Sequence, residues 1–231
     1  MAQKNQLRHL VDLIDDEEFE VRNQVMNAFS EYGMNLEADL KEFSNIIDSQ
    51  KLEIIKPIIE ENRREWFKNN WMSWLALETE IERLETASDL IARFQLGNDY
   101  HLNLPRLFDQ ISEDFKNRYP YGNELDLSTF LFHVLDIRGA KDDYYNPLNS
   151  NLIYVIENGR GLPITLTIIF MILADRVGLF VEGCNLPGHY MAKIKIDGEL
   201  LLIDCFNNGR IIFENEIRSL SNDSYDMVLN I

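Results

Sequence analysis

The segment that most constrains the fold of this chain is PGHYMAKIKIDGELLLIDCFNNG, from Pro187 to Gly209. Apolar and polar residues alternate on both sides of Asp197-Gly198, and Asp-Gly between such stretches is the strongest short-range signal for a β-hairpin. A two-residue type I′ turn requires positive φ at both central positions and would place Ile196 opposite Glu199. The segment therefore predicts two antiparallel strands paired in this register.

This register brings together two side chains that are capable of acid–base chemistry. Directly opposed residues, and residues two apart on one strand, share a face of a sheet. We therefore expect His189 and Asp204 to be diagonal neighbours on one face, with Cys205 on the other. A His–Asp pair can serve as base and orienting group for a thiol or hydroxyl nucleophile. The same pair can also be only a structural hydrogen bond, so the chemistry depends on a third residue.

Composition limits the class of protein and its partners. The 231 residues are 45% hydrophobic and 26% charged, which is ordinary for a globular protein, and the net charge is −17. Such a charge disfavours binding to nucleic-acid phosphates and to anionic membrane surfaces. The two cysteines have no zinc-binding spacing and cannot build a disulfide framework, and the N-terminus lacks a signal-peptide core. We expect a cytoplasmic protein without metal or cofactor.

The N-terminal part is predicted to be helical. Apolar residues repeat at helical spacing over residues 6–32, interrupted at Asp15-Asp16, where Asp16 could cap the second helix. The pattern D-x-x-x-x-VR from Asp16 to Arg22 is similar to a HEAT-type helix pair. We therefore predict a HEAT-like segment over residues 1–64 and a second domain, with a helical lead-in, over residues 65–231.

The C-terminal part is predicted to combine one buried helix with a sheet. Pro163 suits the first turn of a helix, and the residues from Ile164 to Ala174 are apolar nearly all round, which is typical of a buried helix. We expect this helix to end near Val177. Helices are also predicted over 104–119, 128–137 and 214–220. Helices followed by an antiparallel hairpin indicate an α+β fold.

Four motifs occur in order along this part of the chain: YYNPLNSNLIYVIENGRGLPITL at 144–166, then ADRVGL, PGHY and IDCFNNGRII. Together they resemble the bacterial SirB-type transglutaminase-like family, a second transglutaminase-core family, over residues 86–213. The resemblance implies a papain-like fold, in which a nucleophile at the start of the buried helix faces a histidine and an aspartate from the sheet. It does not imply an established activity.

The sequence departs from that pattern where the nucleophile is expected. Residues 161–167 contain no cysteine, and Thr165 is the only side chain with a heteroatom within Pro163–Thr165. Cys205 also follows Asp204 where the family has a proline. The candidate catalytic residues are therefore Thr165, His189 and Asp204, as the remnant of a triad.

The loop before the buried helix is predicted to form one rim of a cleft. Asn-Pro and Asn-Ser favour turns, and paired tyrosines offer apolar surface with polar tips. Alternatively, the asparagines only pin the loop through backbone hydrogen bonds. The candidate cleft-lining residues are Tyr144, Tyr145, Asn149, Pro163 and Cys184.

Three functional interpretations follow. The first is a transglutaminase-like module without its nucleophile that binds a peptide or a protein, and the sequence favours it. The second is an amide-bond hydrolase or acyl transferase that uses Thr165 or Cys184 with His189 and Asp204. The third is a structural protein that assembles through its HEAT-like segment. Whether the protein is an enzyme is left open at this point.

Overall fold

The computed structural model describes residues 2–97, 103–186, 188–213 and 215–216. These residues divide into two compact units. The first unit is drawn from Met1–Ala76 and Leu90–His101, and the second from Leu77–Asp89 and Leu102–Ile231.

Helices and strands are numbered in chain order. The helices are α1 (Ala2–Leu13), α2 (Phe19–Glu31), α3 (Leu36–Leu40), α4 (Ser49–Asn70), α5 (Glu80–Leu96), α6 (Leu104–Arg118), α7 (Glu124–Thr129), α8 (Leu152–Asn158) and α9 (Pro163–Val177). The strands are β1 (Arg138–Gly139), β2 (Arg160–Gly161), β3 (Glu182–Leu186), β4 (His189–Ile196), β5 (Glu199–Asp204) and β6 (Arg210–Phe213). None of the described helices combines the length and the apolar composition needed to cross a membrane.

The first unit is helical and has its own core. The apolar stripes predicted over residues 6–32 form α1 and α2, and the residues they bury join others from α3 and α4 in one cluster. Asp16 does not cap α2, because Glu18 occupies the N-cap position and makes no side-chain cap bond. Asp16 Oδ1 accepts the N–H of Glu18 at 2.8 Å, and the carbonyl of Asp16 accepts a hydrogen bond from Arg22. The cluster includes Leu7, Val11, Ile14, Val25, Phe29, Leu36, Leu40, Ile55 and Ile58.

The second unit contains the predicted hairpin. Strands β3 to β6 form an antiparallel sheet in sequence order, and Ile196 pairs with Glu199 as predicted. Asp197 has φ of 52° and Gly198 has φ of 89°, so both turn positions are in the left-handed region that a type I′ turn requires. The register of this hairpin is therefore set by its turn.

Helix α9 is the buried centre of the second unit. Pro163 is at its first position, and Gly178 ends it in a left-handed conformation with φ of 78°. Nine of its residues are buried, and it packs on β4, α6, α7 and α8. The predicted α+β class, with a buried helix on a small antiparallel sheet, is confirmed.

Other elements differ from the sequence prediction. The helix expected over 128–137 begins at Glu124, because Asn123 and Asp126 form a capping box, and it becomes a π-helix over Phe130–Val134. Helix α8 and the parallel pair of β1 and β2 were not predicted. Of the helix expected over 214–220, only residues 215 and 216 lie inside the described ranges, and both are helical.

The buried position of α9 predicts unequal costs for two truncations in one helix. Phe170 is fully buried, whereas Ile164 is 48% exposed. Phe170→Ala should lower the free energy of unfolding by about 3–5 kcal/mol because it leaves a cavity. Ile164→Ala should cost no more than about 1 kcal/mol. Urea denaturation followed by far-UV circular dichroism measures both, and equal losses would contradict the central position of α9.

Candidate functional site

His189 and Asp204 lie together, as the hairpin register predicts. His189 begins β4 and Asp204 ends β5, and His189 Nε2 lies 2.9 Å from Asp204 Oδ1. The imidazole N–H is not aligned with the carboxylate oxygen, so the pair is a close polar contact rather than a well-formed hydrogen bond. Unaligned contacts of this kind are common in catalytic pairs without ligand, so the geometry alone does not exclude an acid–base role.

The turn after β5 holds the Asp204 carboxylate in place. Oδ1 accepts a hydrogen bond from the Asn207 backbone N–H at 3.0 Å, and Oδ2 accepts one from the Asn207 side-chain amide at 2.8 Å. The Asp204 carbonyl accepts another from the N–H of Gly209. Asp204 is only 5% exposed, so these bonds satisfy a buried charge. Sequence reasoning missed Asn207, although aspartate followed three residues later by asparagine in a turn is a capping signal.

Thr165 is not part of this network. It lies in the first turn of α9 and is 2% exposed, and no hydrogen bond joins it to His189 or Asp204, all three being within the described part of the chain. Its neighbour Thr167 donates to the carbonyl of Pro163 at 3.0 Å, the back-bonding typical of a helical threonine. The structure therefore brings together two of the three candidate catalytic residues.

Helix α9 meets the sheet face opposite to the His–Asp pair. Met191 is paired with Cys184 across β3, and its register position on β5 is opposite Asp204. Cys205, one residue later, is fully buried, and its thiol lies near Thr167 of α9 while its Sγ donates to the carbonyl of Ile203. This arrangement explains why the start of α9 supplies no hydroxyl to His189.

Neither cysteine is poised to act as a nucleophile. Both thiols are free and fully buried. Burial raises the pKa of Cys205 to about 12, and burial is also the main cause of the raised pKa of Cys184. Because the thiolate is the reactive form, both side chains are unreactive near neutral pH. The structure thus gives no support to acyl transfer by Cys184.

The candidate cleft-lining residues fall into two groups. Tyr144 and Tyr145 are 45% and 93% exposed and contact each other edge to face, with ring centroids 5.5 Å apart. Tyr144 also contacts Phe206, at 6.0 Å, in the turn that holds Asp204. Pro163 is partly exposed, whereas Asn149 and Cys184 are buried and present no side-chain surface to a ligand.

Asn149 has the contacts of a loop pin. Its side-chain amide donates to the carbonyls of Asp143 and Tyr144 at 2.5 Å and 3.3 Å, and its own carbonyl accepts from the N–H of Leu162 just before α9. These bonds hold the tyrosines and the start of α9 in one loop structure. The geometry favours the pinning alternative for Asn149 over direct contact with a ligand.

His133 lies outside the His–Asp site. It is exposed in the π-helix. Within the described ranges, no three histidine, cysteine, aspartate or glutamate side chains are arranged to hold a metal ion.

These features belong to a known class of proteins. Residues 98–230 match the Transglutaminase-like superfamily, and the match spans more than half of the 231 residues. The chain therefore belongs to the transglutaminase-like superfamily.

Several curated proteins are similar to part of the chain. The UPF0162 proteins of two strains of Xylella fastidiosa are each 37% identical to this chain over 92 residues, which are 40% of this chain and 33% of theirs. The human F-box only protein 21 is 29% identical over 77 residues, which are 33% of this chain and 12% of that protein. The alignment thus covers about a third or less of the length of these curated relatives. No solved structure matches the chain with statistical significance.

Substitution of Asn149 distinguishes the two roles considered for it. Asn149→Ala leaves two carbonyls without their donor and should cost about 1–3 kcal/mol, a fall in melting temperature of about 3–8 °C. Asn158→Ala is the matched control, because Asn158 is exposed and donates to one carbonyl that water can satisfy. An unchanged melting temperature for Asn149→Ala would contradict the pinning role.

The buried thiol of Cys205 predicts a specific pH dependence of stability. Burial raises its pKa from 9.0 to about 12, so above pH 9 the unfolded chain loses this proton while the folded chain keeps it. The stabilisation is fully present below the unfolded pKa and is lost as pH rises toward the folded pKa. Relative to Cys205→Ala, the wild-type protein should lose about 2 kcal/mol between about pH 8 and about pH 10.5. If the free energy of unfolding of the wild-type protein and of Cys205→Ala changed with pH in parallel, as measured by urea denaturation, the thiol would not be buried.

Proposed function

We propose that this protein is a non-catalytic, SirB-type transglutaminase-like protein that binds an extended peptide or protein segment. The observation that supports this most strongly is that, in the part of the chain that the structure describes, neither Thr165 nor either cysteine is placed as an activated nucleophile beside His189 and Asp204. Thr165 has no hydrogen bond to His189 or Asp204, and burial keeps Cys184 protonated. An acyl-transfer reaction needs an activated nucleophile in contact with its base.

The binding surface in this proposal consists of Tyr144, Tyr145 and Phe206. Tyr145 is 93% exposed although it is a large aromatic residue, and Tyr144 connects it to the turn that carries Asp204. Tyrosines supply large, rigid contact area with little loss of conformational entropy, and they are therefore common in peptide-binding surfaces. Asn149 supports the surface indirectly, by fixing the carbonyl of Tyr144.

The charge of the protein supports a polypeptide partner. A net charge of −17 opposes the binding of nucleic acid and of anionic membranes, whose phosphates need a basic surface. It attracts basic segments of other proteins at long range. The proposal therefore includes a protein or peptide partner and neither a nucleic-acid nor a membrane partner.

The rest of the chain is assigned within the same proposal. Residues 1–64 form a HEAT-like helical segment, and residues 65–231 form the transglutaminase-like domain with its helical lead-in. The packing of α1 and α2 around one apolar core supports the first assignment. Two free, buried cysteines support a cytoplasmic location, because reducing compartments preserve thiols.

Binding at the surface of Tyr144, Tyr145 and Phe206 can be tested with peptides that are selected to require the two tyrosines. A displayed library of random peptides is selected on the wild-type protein in the presence of excess soluble Y144A/Y145A double variant, which removes peptides that bind elsewhere. Tyr145→Ala should then weaken the selected peptides at least about tenfold, as expected for an aromatic hot spot.

Tyr121→Ala is the matched control, because Tyr121 is a fully exposed tyrosine on another loop. It should leave the affinity of the selected peptides unchanged. Equal weakening by both substitutions, or a selection that yields no peptide dependent on Tyr144 and Tyr145, would overturn the proposed binding surface.

A further inference from the structure

A cavity lies in the second unit, at the C-terminal end of α9. It has a volume of about 240 Å³ and is built by the start of α5, the end of α9 and the start of β3. Its apolar lining comes from Met171, Leu179 and Val181, and its polar lining includes three carboxylates. Drug-sized ligands and cofactors usually occupy about 300–1,000 Å³, so this cavity suits a single side chain.

Phe180 is held in an exposed position at this cavity. The side chain is 68% exposed, although large aromatic residues are normally packed. Two hydrogen bonds hold the backbone that leads into this residue, because the Phe180 N–H donates to the Glu124 carboxylate and the Leu179 N–H donates to the carbonyl of Ala174. The exposed ring is therefore carried at the cavity by an ordered backbone.

Two of the three carboxylates have no cation of their own. Glu182 is paired with Lys193, whose Nζ lies 3.0 Å from Glu182 Oε2. Glu80 and Asp175 are both exposed, and neither has an ion pair within the part of the chain that the structure describes. The cavity thus carries two uncompensated negative charges, next to the end of α9, where the helix dipole is also negative.

The N-terminus of α5 does not change the preference of the cavity for a cation. A helix N-terminus attracts anions through its free N–H groups. Here Thr79 and Glu82 cap part of the helix start, since the Glu82 N–H donates to Thr79 Oγ1 and the Thr79 N–H donates to the Glu82 carboxylate. The Glu82 carboxylate therefore places a negative charge of the protein's own at this helix start.

We propose that this cavity binds the side chain of an arginine residue in a partner protein. The guanidinium would pair with Glu80 and Asp175 and stack on Phe180, and its methylene groups would contact Met171 and Leu179. An arginine suits this combination better than a lysine, because its planar cation both stacks on aromatic rings and pairs with carboxylates in fixed geometry. The site is separate from the surface at Tyr144 and Tyr145, and the inference does not depend on the proposed function.

The probe is a blocked Gly-Arg-Gly peptide, compared with the same peptide carrying citrulline, which keeps the shape of arginine without its charge. In an NMR titration, the arginine peptide should shift the amide signals of Leu179 and Gly183 and saturate at about millimolar concentration. The citrulline peptide should bind at least about tenfold more weakly. Equal binding of the two peptides, or no saturation by about 20 mM, would overturn the proposal.

Substitutions of the cavity carboxylates show whether the arginine peptide binds in this cavity. Glu80→Gln and Asp175→Asn should each weaken the arginine peptide about threefold, and together about tenfold, as expected for exposed ion pairs. Glu113→Gln is the matched control, because it removes an exposed carboxylate from α6 and should change nothing. Tyr145→Ala should also leave this binding unchanged. Equal effects of Glu113→Gln and Glu80→Gln would show that only net charge matters and would overturn the site.

Discussion

The register of the β4–β5 hairpin is the constraint on which the candidate site depends. The two-residue turn at Asp197-Gly198 sets the pairing, and this pairing places His189 beside Asp204 on one face and Cys205 on the other. A slip of one residue would exchange the two faces. The aspartate would then point toward α9, and a buried carboxylate would lose the bonds from Asn207 that satisfy its charge. Turn chemistry and charge burial therefore act together to fix one arrangement.

The transglutaminase-like core has a buried helix on an antiparallel sheet, and within the described ranges neither Thr165 nor a cysteine is hydrogen-bonded to the His–Asp pair. Helix α9 is held against the sheet by apolar packing, with Thr167 near the buried thiol of Cys205. A thiol in that position stabilises the packing and is not available for reaction. The features that face solvent are instead aromatic and acidic: the tyrosine pair near Asp204, and the cavity with Phe180 at the other end of α9. We have proposed both as sites that recognise a polypeptide.

Much of this arrangement could be predicted from the sequence, because its signals are local. Asp-Gly specified the hairpin, and Pro163 and Gly178 bounded α9. The contacts of Asn149 were not predictable, since the same residue could pin the loop or face a ligand until its burial was known. The lack of a bond between Thr165 and His189 depends on which sheet face meets α9, a tertiary property. The cavity at Phe180 combines three distant segments, so no single stretch of sequence indicates it.

The central proposal is that neither Thr165 nor a cysteine serves as a reactive nucleophile for the His–Asp pair. It is tested most directly by incubating the folded protein near neutral pH with an electrophilic glutamine-peptide probe and measuring its intact mass. The account predicts an unmodified mass for the native protein and modification of Cys184 and Cys205 after denaturation, when both thiols are exposed. An adduct on the native protein, mapped to Thr165 or Cys184 and lost in His189→Ala, would contradict the account and establish an acyl-transfer enzyme.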